Sequence, residues 1–211
     1  MESHAELGKT GNMNIHQTIV VYTSIVGGFD PPRTDILNFD TPPHPMGTPR
    51  LESKYFKMNP HRIFTRAITI WLDGNIHLNV DESRLVDDFL GDADIGVFRH
   101  PFRQSVWEEC DACITLAKDD AGVIRNQLAT YRRAGFGDDM GLAECGVIIR
   151  RNNERVRGFN QMWWSHVCRH SIRDQISFPF VMWQNPDVKI KINDGNVRND
   201  ARFTYVNHLK P

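Results

Sequence analysis

Apolar positions along this chain fall into short β-branched bursts separated by stretches with helical spacing. Thr18–Ile25 (TIVVYTSI) stops at Gly27-Gly28, which predicts a strand followed by a turn. Thr65–Leu72 (TRAITIWL) predicts a second strand ending at Asp73-Gly74-Asn75, and Ile95–Arg99 a third, closed by His100-Pro101. Gly146–Arg150 and Val188–Ile192 add two more. Between them, Glu82–Leu90 reads as a helix capped by Asp81. Ser105–Ala117 places Val106, Cys110, Cys113, Ile114 and Ala117 on one helical face, and Gly122–Ala134 does the same with Val123, Leu128 and Tyr131. Val156–His170 predicts a further helix, containing Trp163-Trp164. Residues 30–50 are proline-rich and carry no period, so they predict a loop.

Strands alternating with helices predict one α/β domain over residues 18–211, with a mostly parallel central sheet flanked by helices. Residues 1–17 read as a flexible polar tail. In such sheets a ligand crevice lies beyond the carboxyl ends of the strands, which points to Gly27–Asp30, Asp73–Asn75 and Arg99–Arg103.

Composition narrows the class. Five Trp and twelve Phe in 211 residues exclude a mainly disordered chain. No apolar run reaches the roughly 20 residues of a membrane span, and the first seventeen residues lack a signal-peptide profile. Four cysteines do not make a disulfide framework, so the expected compartment is cytoplasmic. Net charge is only -1, but it is unevenly spread: residues 73–145 hold 15 acidic and 7 basic residues, and residues 146–211 hold 5 acidic and 11 basic. The basic C-terminal third suits either a solvated face or contact with phosphates.

Four clusters can carry chemistry. Asp73 and Asn75, two apart at a strand end, put two hard oxygen ligands on one side of the chain, fit for Mg²⁺ or Mn²⁺. The same Asp-Gly also signals a tight hairpin. Arg173-Asp174-Gln175 can bind sugar hydroxyls and stabilise oxocarbenium charge, or it can be a helix N-terminus where the dipole favours Asp. Of Trp163 and Trp164, on neighbouring helical faces, one enters the core and the other can cover a ligand. His208 and Lys210 offer an imidazole for a metal and an ammonium for a phosphate, or are a frayed tail. Cys110 and Cys113 read as buried thiols, and Glu108-Glu109 as exposed, with Glu108 the one able to reach Arg99 or Arg103. No G-x-S-x-G, G-x-x-x-x-G-K or H-E-x-x-H is present, so hydrolase, P-loop and zincin readings lack their carriers.

Several strings then combine: Val21-Tyr22-Thr23, Gly27-Gly28-Phe29-Asp30, Ser53-Lys54-Tyr55-Phe56-Lys57, Ile70-Trp71-Leu72-Asp73-Gly74-Asn75, Phe98-Arg99-His100-Pro101-Phe102-Arg103, Glu144-Cys145-Gly146-Val147, Trp163-Trp164 and Ser171-Ile172-Arg173-Asp174-Gln175. In this order, over about residues 18–192, they resemble the TOD/MUCI-type glycosyltransferase-like domain. That resemblance implies a GT-A type, Rossmann-like nucleotide-sugar fold in which Asp73-Gly74-Asn75 replaces the usual Asp-x-Asp metal motif. It implies that Asp73, Asn75 and His208 hold a metal and that Asp174 and Gln175 lie under the donor sugar. Tyr22, Thr23 and Asp30 become candidates for the base and ribose, Lys57, Arg99 and Lys210 for phosphates or sugar, and Gly27 for close backbone approach. Glu144, Arg173, His100 and Trp164 become candidates for substrate contact.

The expectation is a Mn²⁺- or Mg²⁺-dependent glycosyltransferase that uses a nucleotide sugar, UDP-linked by preference, with retention of configuration. Its acceptor is a hydroxyl on a glycan or on a hydroxymethylated DNA base, with no membrane partner. The rivals are a sugar-nucleotide- or glycan-binding domain without turnover and a metal-dependent phosphodiesterase.

Overall fold

A computed structural model describes residues 18–137 and 139–208; the expected N-terminal tail and Lys210 lie outside them. The core is a six-stranded sheet with spatial order β2-β1-β3-β6-β5-β7. Its strands are β1 (Ile19–Ser24), β2 (Leu37–Phe39), β3 (Ile68–Leu72), β5 (Ile95–Arg99), β6 (Ala143–Arg151) and β7 (Ile190–Asn193). All run in one direction except β6, which is antiparallel to both β3 and β5. The mostly parallel sheet is therefore as expected. Two short strands, β4 (Ile76–Leu78) and β8 (Phe203–Tyr205), form a separate antiparallel pair.

Among the described residues there are six α-helices: α1 (Pro49–Met58), α2 (Glu82–Leu85), α3 (Val106–Thr115), α4 (Ala121–Arg133), α5 (Glu154–Arg169) and α6 (Asp174–Gln184). The predicted helix over 82–90 is α-helical only to Leu85; residues 86–90 wind more widely, as a π turn. Strand β2 falls within the proline-rich stretch 30–50 that the sequence predicts as a loop, and helix α1 begins at the end of that stretch. Its start is nonetheless ordinary, because Thr48 accepts from the amide of Leu51 and Pro49 takes the first helical position, where a missing N–H costs nothing.

One apolar layer packs α1, α5 and α6 against the sheet through Phe56, Trp71, Phe159, Trp163 and Phe178; the other holds Ile70, Leu72, Phe89, Phe98 and Phe203. A guanidinium sits inside the first layer. Arg150 is fully buried and donates to Tyr22 Oη at 2.8 Å and to Asn160 Oδ1 at 3.2 Å. Burial pushes the Tyr22 phenol up to about 12 against the opposing pull of Arg150, so the pair is a neutral hydroxyl accepting from a cation.

The register places the ligand-facing residues. Val97 pairs with Ile148 but the next residue, Phe98, pairs with Glu144, so residues 145–147 of β6 bulge away from β5. On the other side, the Asp73 amide donates to the Gly146 carbonyl at 2.8 Å. The bulge thus sets Glu144 and Gly146 beside the loop that follows β3. That loop is not a hairpin, since β4 pairs with β8 and not with β3. Gly74 is required for packing: a Cβ there would stand 2.9 Å from Ile25 Cγ1 and 3.1 Å from Asp30 Oδ2.

Tyr22→Phe leaves one Arg150 donor without its partner inside the core. The expected result is a loss of about 1–3 kcal/mol in urea unfolding with ligand binding unchanged, and an unaltered midpoint would contradict the assigned role. Burial also lowers the imidazoles of His61 and His166 to about 4. The unfolded chain takes up these protons from about pH 6.5 downward, whereas the folded chain does not until about 4. Stability therefore falls as pH drops through that window. Urea midpoints between pH 7 and 4.5 check this, with a shallower fall expected in His166→Phe.

Candidate active site

The carboxyl ends of β1, β3 and β5, the start of β6 and the start of α6 meet at one edge of the sheet. Two adjoining cavities open there, of about 290 and 300 Å³. The first is polar, walled by Lys57, His100, Arg103, Glu144, Gln175 and Arg198 among others. The second is more apolar, with Ile25, Val26, Phe29, Pro49 and Trp71 in its wall. Lys54, Asp73, Arg173 and His208 line both.

At their junction lies a buried cluster of charge. Lys54 and Lys57, three apart and so on one face of α1, reach the same oxygen of Asp174, with Nζ to Oδ2 distances of 2.7 and 2.8 Å. Lys57 also donates to Asp73 Oδ1 at 3.1 Å, an atom that accepts from Trp71 Nε1 at 2.8 Å. The Lys57 and Asp174 side chains are 3% and 5% exposed, while Lys54 is 21% exposed. Burial opposes the charge on Asp174, but Lys54 and Lys57 outweigh it and hold the carboxyl far below the usual range. For Lys57, burial is likewise outweighed by Asp174 and Asp73, so its ammonium is held protonated. Lys54 differs: burial, aided by the neighbouring charge of Lys57, lowers it despite Asp174.

Asp174 opens α6, and its backbone carbonyl accepts from Trp163 Nε1 at 3.1 Å and from Ser177 Oγ at 3.2 Å. It is therefore both the helix N-terminal acid and a wall of the cavity. Arg173 beside it donates to Gln175 Oε1 at 3.3 Å and lies 3.9 Å from Glu109. Glu109 is fully buried, pairs with Arg103 and accepts from the Cys113 thiol. The expected exposure of Glu109 is thus corrected: it anchors arginines of the cavity wall, while Glu108 accepts from the Gln104 amide.

Asn75 donates to the Val206 carbonyl at 2.8 Å and is bonded in return by the Val206 amide, which draws the C-terminal segment across the cleft. His208 Nδ1 then meets Asp30 at 2.9 Å. A carboxylate on one imidazole nitrogen is the arrangement that orients the other toward a metal. Asp73, Asn75 and His208 all line the polar cavity and supply two oxygens and a nitrogen of suitable hardness. Among the described residues no three His, Cys, Asp or Glu side chains converge on a preformed metal position.

Five expected positions stand elsewhere. Tyr22 and Thr23 are buried in the core behind the cavities, which Ser24, Ile25 and Val26 line in their place. Gly27, at φ +80°, packs against Pro49, where a Cβ would stand 2.8 Å away. Arg99 leaves the cleft and pairs with Asp194 at 2.9 Å. Trp164 packs edge-on against Tyr55, outside both cavities. Conversely, Lys54, Phe102, Arg103 and Arg198 line the cleft without an assigned role; the first three lie within strings that carry the family resemblance, and Arg198 lies in none. The i,i+3 spacing of Lys54 and Lys57 behind a Thr-Pro helix start is the one signal that would have found a member of this group.

The fold is mixed α/β, with two adjoining cavities at the carboxyl ends of a largely parallel sheet. The chain matches the model of the TOD1/MUCI70, glycosyltransferase-like domain over residues 41–206, and it belongs to that family. It is similar to the probable hexosyltransferase MUCI70 of Arabidopsis thaliana, 30% identical over 148 residues, which is 65% of this chain and 26% of that protein. The chain thus spans about a quarter of that relative's length. Two solved structures are also similar. Apo mouse xyloside xylosyltransferase 1 is 17% identical with a TM-score of 0.41, covering 72% of this chain and 54% of that one. A glycosyltransferase involved in glycosylation of the major capsid of PBCV-1 is 10% identical with a TM-score of 0.48, covering 89% and 92%.

Lys57→Met takes one of the two ammonium groups from the buried Asp174 and the ammonium from the part-exposed Asp73. It should destabilise the fold by about 3–5 kcal/mol, and Lys57→Met with Asp174→Asn should lose less than the single variant. Strict additivity of the two substitutions in urea unfolding would show that the charges are not coupled.

Proposed function

We propose that this domain is a metal-dependent glycosyltransferase that moves a sugar from a nucleoside-diphosphate sugar, UDP-linked by preference, to a hydroxyl acceptor. The observation that carries this reading is the shared wall of the two cavities. An apolar chamber suited to a base adjoins a polar one suited to a sugar, and Lys54, Asp73 and Arg173 stand where a diphosphate would link them.

In the reaction the bond between the anomeric carbon and the β-phosphate oxygen breaks, and the diphosphate leaves with the electron pair. The acceptor oxygen bonds the same carbon and passes its proton to an oxygen of the departing diphosphate. Charge develops at both ends of the breaking bond, and fixed charges placed there lower the barrier. Lys54 is the more exposed of the two ammonium groups on Asp174. An entering diphosphate draws Lys54 away, leaving the carboxylate less compensated and better able to support the positive anomeric carbon. Arg173 receives the diphosphate, fixed from behind by Glu109, and Gln175 holds sugar hydroxyls. Asp73, Asn75 and His208 fit Mn²⁺ or Mg²⁺, which when bound neutralises leaving-group charge. Retention of configuration follows from the kinship that the family suggests, and the anomeric proton of the product, read by NMR, tests it.

A thermal-shift panel of UDP-, GDP-, ADP- and CMP-sugars, with Mn²⁺ or with chelator, tests the donor site. A ligand at 100 times its Kd stabilises by about 2.7 kcal/mol. The expected result is a shift for one nucleotide that is lost with chelator and in Asp73→Ala. No shift with any nucleotide, from a folded protein, would overturn the reading in favour of a glycan-binding domain.

A further inference from the structure

The polar cavity holds a feature that donor binding leaves unused. Phe102, in the loop after β5, lines the cavity with its ring 72% exposed and so open to a ligand that enters there. Glu144, in the wall of the same cavity, is only 12% exposed, and one of its oxygens accepts from Arg198 at 2.8 Å. Its other oxygen, Oε2, is buried with no hydrogen-bond partner. A carboxylate oxygen withdrawn from water and left unpaired is costly unless a ligand supplies the donor. Arg198 is itself held in place, with its guanidinium 4.4 Å from the centre of the Tyr205 ring.

We infer that Phe102, Glu144 and Arg198 form the acceptor subsite and that its occupant is a pyranose of a glycan. This inference rests on the reading that the junction of the cavities holds the donor. A pyranose offers an apolar C–H face to stack on Phe102 and, at its edge, a hydroxyl that donates to Glu144 Oε2 and accepts from Arg198. A base flipped out of DNA also stacks, but it arrives on a polyanion, and it would bring phosphates toward a wall whose arginines are already paired with Glu109 and Glu144. The earlier expectation of a platform at Trp164 thus passes to Phe102, which stands in the cleft.

The test is saturation-transfer NMR on the full chain with UDP present, using methyl glycosides of common pyranoses, their disaccharides, and a single-stranded oligonucleotide carrying 5-hydroxymethylcytosine. Wild type should transfer saturation to at least one glycoside. Phe102→Ala and Glu144→Gln, both at positions that leave the core intact, should each reduce that signal about tenfold while UDP affinity stays within about twofold. Glycoside binding that survives both substitutions, no glycoside binding at all, or binding of the oligonucleotide alone would overturn the inference. Failure of the underlying reading looks different, because UDP and the other nucleotides would then not bind to wild type.

Discussion

Two ammonium groups on one carboxylate oxygen, largely out of water, set the conditions for the rest of this site. A lone buried Asp174 would take up a proton, and a lone buried Lys57 would lose one. Together, and with Asp73 alongside, they keep their charges at neutral pH. The arrangement demands that α1, the β3 turn and the start of α6 meet within hydrogen-bond reach. Local peculiarities of the fold serve that meeting. Thr48 and Pro49 fix where α1 begins, Gly74 lets the turn press on Ile25, and Trp163 and Ser177 tie down the Asp174 backbone.

Around this centre the charges are arranged in pairs that differ in depth. Glu109 is wholly buried and steadies Arg103 and Arg173, so these guanidinium groups face the cavity without being free to swing. Lys54 is the exception, shallower than its partners and lowered in basicity. In the proposed reaction it is the member that an entering anionic ligand draws away. The C-terminal segment closes the same cleft, bonded to Asn75 and ending on Asp30 through His208.

Much of this was legible in the sequence, and the misses have physical causes. Five strands and the helices from α3 to α5 followed from periodicity because their buried faces are continuous. The antiparallel direction of β6 did not, since direction depends on register with strands far away in sequence. Asp73, Asn75 and Asp174 were found because they sit at element ends, where motifs concentrate. Tyr22 and Thr23 adjoin the Gly27-Gly28 turn in sequence, but both side chains are buried within β1 and the cavity lining begins at Ser24. Glu109 was read as exposed because a charged pair on a helix usually is; only the third dimension supplies Arg103. Phe102 sits in the Phe98–Arg103 string, but its exposure is visible only once the cleft is built.

The most direct test is turnover by Asp174→Asn. The variant keeps size and hydrogen bonding while removing the charge on which Lys54 and Lys57 converge. Release of nucleoside diphosphate from the donor that stabilises the wild type, followed together with transfer to a glycan acceptor, should fall by about a hundredfold or more while donor binding persists. An equal rate in variant and wild type would show that this carboxylate holds the fold together and has no part in the reaction.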